Sequence, residues 1–143
     1  MTEPEIRDAL AKWQRRLRLE HWEITLDLDT ATEDVALACC ERSSDYERAR
    51  IRLASNWREW TPDSCQVPDI DHSAMPPRSL DYTVVHELLH CSFHDLEHAG
   101  KVKYGLLTSD VDDIHEAQLD RDLERTIDRM AMVIVEAYAG WEI

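Results

Sequence analysis

Ile6, Leu10, Trp13 and Leu17 recur at steps of four, three and four residues, the spacing of one apolar face of an α-helix, and Pro4 stands where such a helix begins. The period then drops to two. In HWEITLDLD, residues 21–29, Trp22, Ile24, Leu26 and Leu28 alternate with Glu23, Thr25, Asp27 and Asp29, which predicts a strand with one buried and one wet face. The more apolar VALACCE at 35–41 predicts a second strand, and Ala49, Ile51 and Leu53, alternating with arginines, a third. Their connections are short enough to expect a three-stranded antiparallel sheet wound as a meander. Residues 55–79 break the pattern with four prolines, two tryptophans and no periodicity. Such a stretch serves either as a plain surface connection or as a loop that walls a cleft.

Beyond Pro77 the helical period returns. Ser79 or Asp81 can cap the new helix, and Val85, Leu88, Leu89, Phe93 and Leu96 form a broad apolar stripe that Val84 and Cys91 widen. This helix should be buried around much of its circumference and end by Gly100. A loop, KVKYGLLTS, leads into a long helix with acidic residues at its start and Gly140 past its end. In it Leu119, Leu123, Ile127, Met130, Ile134 and Ala137 are expected to face the core. Helix, three strands, loop, helix, helix is an α+β order, and a chain of this length makes one domain, spanning residues 1–143.

Hydrophobic residues at 43%, charged residues at 32% and only three glycines exclude a disordered or fibrous chain. The net charge of −14 is uneven: −3 over residues 1–60, −11 over the rest. Such a surface repels phosphate backbones, so no nucleic-acid partner is expected. Arg15, Arg16 and Arg18 cluster, but at the end of the first helix, where cations complement the helix dipole. MTEPEIRDAL lacks the basic-then-apolar order of a signal peptide and no apolar run is long enough to cross a bilayer, so a cytoplasmic protein without a membrane partner is expected. Cys39, Cys40, Cys65 and Cys91 contain no C-x-x-C pair and read as reduced thiols, mostly small core residues. Trp57, Trp60 and Trp141 can form an apolar patch for self-association or substrate.

TVVHELLHCSFHDLEH, residues 83–98, carries the candidate chemistry. HELLH on a helix sets His86 and His90 one turn apart on the same face, where two imidazoles can converge on one ion. Zinc suits such donors, and it acidifies a water in its open position. Glu87, rotated about 100° from His86, can take that water's proton and pass it to a leaving amine. A shuffled chain of this composition would contain H-E-x-x-H about 3% of the time, so the setting matters as much as the motif. The setting is favourable: Val84, Val85, Leu88 and Leu89 bury the helix around polar groups that are costly to leave unpaired.

A catalytic zinc needs a third protein donor. On an unbroken helix His94 and His98 lie about 12 and 18 Å along the axis from His86, too far to share its ion. A metzincin would carry a histidine six residues after His90, where this chain has Leu96, so that class is excluded. The long helix offers Glu116, Asp120, Glu124 and Asp128 at four-residue steps. Glu124 is favoured because it borders Leu123, Ile127 and Ala131, where the helix turns strongly apolar, and Asp128 is placed to hydrogen-bond a ligand histidine. Glu116 with Asp120 is the fallback.

YTVVHELLH followed by LERTIDRMA resembles the HExxH zinc peptidases of the gluzincin type, in which a glutamate on a later helix, in an E-x-x-x-D-like context, completes the site. The short chain is most similar to the minimal single-domain members, the minigluzincins, and to prokaryotic and phage-encoded metallopeptidase-like proteins. The resemblance is sharp over residues 82–94 and 123–131 and architectural over 5–54. It implies a zincin-like fold, zinc held by His86, His90 and Glu124, Glu87 as general base, and a peptide or protein substrate. Larger gluzincins carry an oxyanion-stabilising histidine or tyrosine on a further subdomain. Here no segment is available to form one, and Tyr104, His115 or His98 are the candidates.

The leading expectation is thus a small zinc metallopeptidase. Its rivals are a zinc-binding but latent or structural protein, whose fourth position is closed by Cys65, His72 or Cys91, and a metal-free acidic protein-interaction domain. A di-iron carboxylate protein is weaker, since Glu87-x-x-His90 supplies only half of that motif.

Overall fold

The computed structural model of the chain describes residues 1–32, 38–43, 46–65, 78–97, 99 and 112–139. Helix α1 (Glu3–Arg16) is followed by strands β1 (Glu23–Thr32), β2 (Ala38–Ser43) and β3 (Arg48–Ala54), a 3-10 turn at Trp57–Glu59, helix α2 (Leu80–Ser92) and helix α3 (Asp112–Tyr138). The α+β class read from the sequence is the one observed. Thr2 starts α1: its hydroxyl caps the Glu5 amide, and its own amide donates to the Glu5 carboxylate at 2.7 Å. Ile6, Ala9, Leu10 and Trp13 bury the face that the spacing predicts. Trp13 Nε1 donates to Asp81 Oδ1 at 2.6 Å and Lys12 Nζ pairs with the same oxygen at 2.7 Å, which fastens α1 to the first turn of α2.

The antiparallel meander is corrected. The order is β1-β3-β2, with β3 central, parallel to β1 and antiparallel to β2. Charge on the outer face accounts for this. Arg48, Arg50 and Arg52 alternate with the buried Ala49, Ile51 and Leu53, so three cations line one side of a single strand. β1 flanks them with Glu23, 2.9 Å from Arg48, and Asp27, 3.8 Å from Arg50, while β2 supplies Glu41, 2.6 Å from Arg50 and also paired with Arg52. A meander would have left β3 at an edge with Glu41 as its only acidic neighbour. Exposed pairs of this kind add little stability each, so their effect is on the choice of strand neighbour.

The opposite face of the sheet joins all three helices in one core. α2 occupies its centre, buried from Leu80 to Cys91 except at Asp81. Ser79 caps it, accepting from the Tyr82 amide at 3.1 Å. The helix closes before the last residues of the expected stripe: Phe93 is its C-cap, and a separate helical turn follows at residues 94–97. The break loses the apolar phase, which leaves Leu96 65% exposed. Trp57 and Trp60 are core residues and form no surface patch; Trp141 lies outside the described residues.

In α3, Ile127 and Ala131 are buried, with Leu123, Ile134, Val135 and Tyr138 packed beside them. Met130 and Ala137, expected in the core, are exposed. The buried stripe is centred closer to the Glu124 and Asp128 face, and at 100° per residue this carries 130 and 137 to its edge. Among the described residues no helix is long and apolar enough to cross a membrane.

Candidate metal centre

Burial of α2 fixes the directions of its polar residues. His86 and His90 stack one turn apart, ring centroids 5.2 Å from each other, on the side that meets α3. α3 carries Glu124 to them. Its Oε2 lies 3.2 Å from His86 Nε2 and its Oε1 3.0 Å from His90 Nε2. Donor atoms of the three residues all lie within 4.8 Å of one another.

Behind this group stands Asp128, one helical turn after Glu124. Its Oδ1 is 2.9 Å from His86 Nδ1, out of line for a straight hydrogen bond, and accepts from the Tyr82 hydroxyl at 2.6 Å. Arg78, 3.7 Å from the other Asp128 oxygen, lies over the Tyr82 ring. His86 is therefore backed by a carboxylate that a tyrosine and an arginine hold in place.

The protonation states follow from this crowding. Hydrogen bonds from His86 and then His90 hold Glu124 well below the usual carboxylate range. Burial would lower His86, but the hydrogen bond to Glu124 and the charges of Glu87, Glu124 and Asp128 outweigh it and raise it. Glu87, 5% exposed, is raised by burial against the opposing charges of His86 and His90. It thus keeps its proton to a higher pH than a surface glutamate does.

The chain matches no protein-family model, no curated protein and no solved structure. The resemblance to gluzincins accordingly rests on the motif residues alone. Two imidazole nitrogens and one carboxylate form a donor set that suits a borderline divalent ion such as zinc, and both Nε2 atoms are aimed at one place. His90 Nδ1 is buried and has no hydrogen-bond partner among the described residues.

Of the residues singled out in the sequence, His86, His90 and Glu124 come together. His94 does not join them: its Nδ1 accepts from Arg42 Nε at 3.3 Å and its ring meets the edge of Trp22. Cys65 and Cys91 do not join the group either. The side chains of Glu116 and His115, and all of His72, His98 and Tyr104, lie outside the described residues. Glu124 is 51% exposed in its side chain, so the group opens to solvent on the α3 side. Sequence reasoning missed Tyr82 and Arg78, whose shared partner lies dozens of residues further along the chain; the tyrosine one turn before His86 was the available signal.

Proposed function

We propose that the chain is a small zinc-dependent metallopeptidase. The observation that carries this is the convergence of His86 Nε2, His90 Nε2 and the Glu124 carboxylate from two helices, with the buried Glu87 adjoining the first histidine. Bound there, zinc would supply a Lewis acid that polarises a peptide carbonyl and acidifies water. His86, His90 and Glu124 hold it; Asp128, Tyr82 and Arg78 orient His86. Glu87 accepts the proton of the attacking water and returns it to the leaving nitrogen, a relay that its raised affinity for protons favours. The half-exposed Glu124 leaves the site accessible to a peptide, which supports a catalytic role over a closed structural one.

Purified chain is expected to carry about one zinc, and a mixed peptide library to be cut by the zinc-loaded form and left intact after chelation. Zinc bound without cleavage would turn the reading to a latent zinc protein. A chain that takes up no zinc, and whose stability chelators leave unchanged, would favour a metal-free acidic interaction domain.

The backing of His86 has its own test. Asp128→Asn is expected to weaken zinc binding about 10–100-fold and Tyr82→Phe, one link further out, about 3–10-fold, both read by competition with a chromophoric chelator. Wild-type affinity in Asp128→Asn would show that the carboxylate does not orient the ligand.

A further inference from the structure

On the side of α2 away from α3, Sγ of Cys91 lies 3.8 Å from Sγ of Cys40 on β2, and both are free thiols. Register explains the meeting. Cys40 pairs with Ile51 of β3, which pairs with Leu26 of β1, so Cys40 shares the core face of the sheet. Cys91 follows Glu87 by one turn and occupies the same face of α2. Two residues further along the strand, Arg42 reaches across the same seam to Glu97 at 2.7 Å and His94 at 3.3 Å. Strand and helix are therefore already clamped at one point, with the two sulfurs beside the clamp.

We propose that Cys40 and Cys91 are a thiol-oxidation site, forming a reversible disulfide that latches the edge strand to the motif helix. A disulfide requires an S–S distance of about 2.05 Å, so the sulfurs must approach by about 1.8 Å. β2 can supply that movement because, among the described residues, it is hydrogen-bonded as a strand to β3 alone. Cys40 is the more exposed of the two and Cys91 is 3% exposed, so a small oxidant enters from the Cys40 side. With a peroxide, one of the two sulfurs attacks one peroxide oxygen and the O–O bond breaks, giving a sulfenic acid and water. The other sulfur then attacks that sulfenic sulfur, forming the S–S bond and releasing a second water. Two thiols lose two electrons and two protons in total, hydrogen peroxide becomes two waters, and a dithiol reverses the change. In a reducing compartment the latch would be transient, as sensing disulfides are. Its formation does not depend on zinc or on hydrolysis, so it can be tested whatever the fate of the metallopeptidase reading.

The experiment treats the full-length native chain with one equivalent of hydrogen peroxide, alkylates the remaining thiols and maps disulfide-linked peptides by mass spectrometry. The expected product retains two alkylatable thiols, joins the peptides of Cys40 and Cys91, reverts with dithiothreitol and melts roughly 10 °C higher than the reduced form. Cys40→Ser and Cys91→Ser should each abolish it, while Cys65→Ser leaves it intact; the wild-type peptide map decides the matter even if the first two variants fold poorly. Linkage through Cys39 instead, cross-linking only in denaturant, or over-oxidation of Cys40 without a bond would overturn the proposal. So would protection of both thiols by added zinc with no bond formed, which would assign the pair to a soft metal.

Discussion

Glu124→Ala is expected to reduce zinc from about one per chain to a trace, with affinity falling by more than the 10–100-fold that loss of an orienting neighbour costs. The reason lies in the geometry: α2 can present only His86 and His90, and their Nε2 atoms turn to the single carboxylate that α3 brings within 3.0 and 3.2 Å. Two imidazoles alone leave half of a tetrahedral shell to water. The variant should still fold, because Glu124 is 51% exposed in its side chain and the α3 core contacts come from Ile127 and Ala131. Glu116→Ala provides the comparison and is expected to keep its zinc. Elemental analysis after gel filtration, followed by chelator competition, reads both. Full zinc occupancy in Glu124→Ala, or its loss in Glu116→Ala, would move the third donor elsewhere on α3.

Much of this site could be read from periodicity. His86 and His90 fall on one face of any helix through HELLH, and the choice of Glu124 over its acidic neighbours followed from where α3 becomes apolar. Position 127 lies at the centre of that stripe and is fully buried, so the nearby carboxylate is drawn over α2. The strand order was harder to see. Alternation tells which face of a strand is wet but does not name its neighbour; that information lay in Arg48, Arg50 and Arg52, which require acidic partners on both sides. The end of α2 was likewise obscured, because Phe93 and Leu96 continue an apolar spacing that the backbone abandons at Ser92. Tyr82 with Asp128, and Cys40 with Cys91, are pairs made by packing between distant segments, for which local pattern carries no signal.

The contact between α2 and β2 bears on Glu87 itself. Glu87 and Cys91 share the helix face opposite the sheet's edge strand, and Arg42 lies close enough for its charge to pull the Glu87 carboxyl down against the larger effect of burial. Glu87 is buried between two sets of charges: those of His86, His90 and Glu124 reach it from the side of the candidate metal group, and that of Arg42 from β2.

That position makes Glu87→Gln the sharpest test of catalysis. The amide keeps the volume and shape of the side chain, so zinc should stay at about one per chain while hydrolysis falls by the 10²–10⁴-fold typical of a lost general base. Stability should move the other way. The folded-state affinity of Glu87 for protons is raised above its unfolded value of 4.5, so ionising it costs the folded protein stability as pH rises from that value towards the raised one. The neutral glutamine escapes the cost. Melting of the zinc-free variant should therefore match the wild type near pH 4.5 and exceed it increasingly towards neutrality. Retained hydrolysis in Glu87→Gln would remove the residue from proton transfer. Lost zinc would instead place Glu87 among the groups that hold the metal.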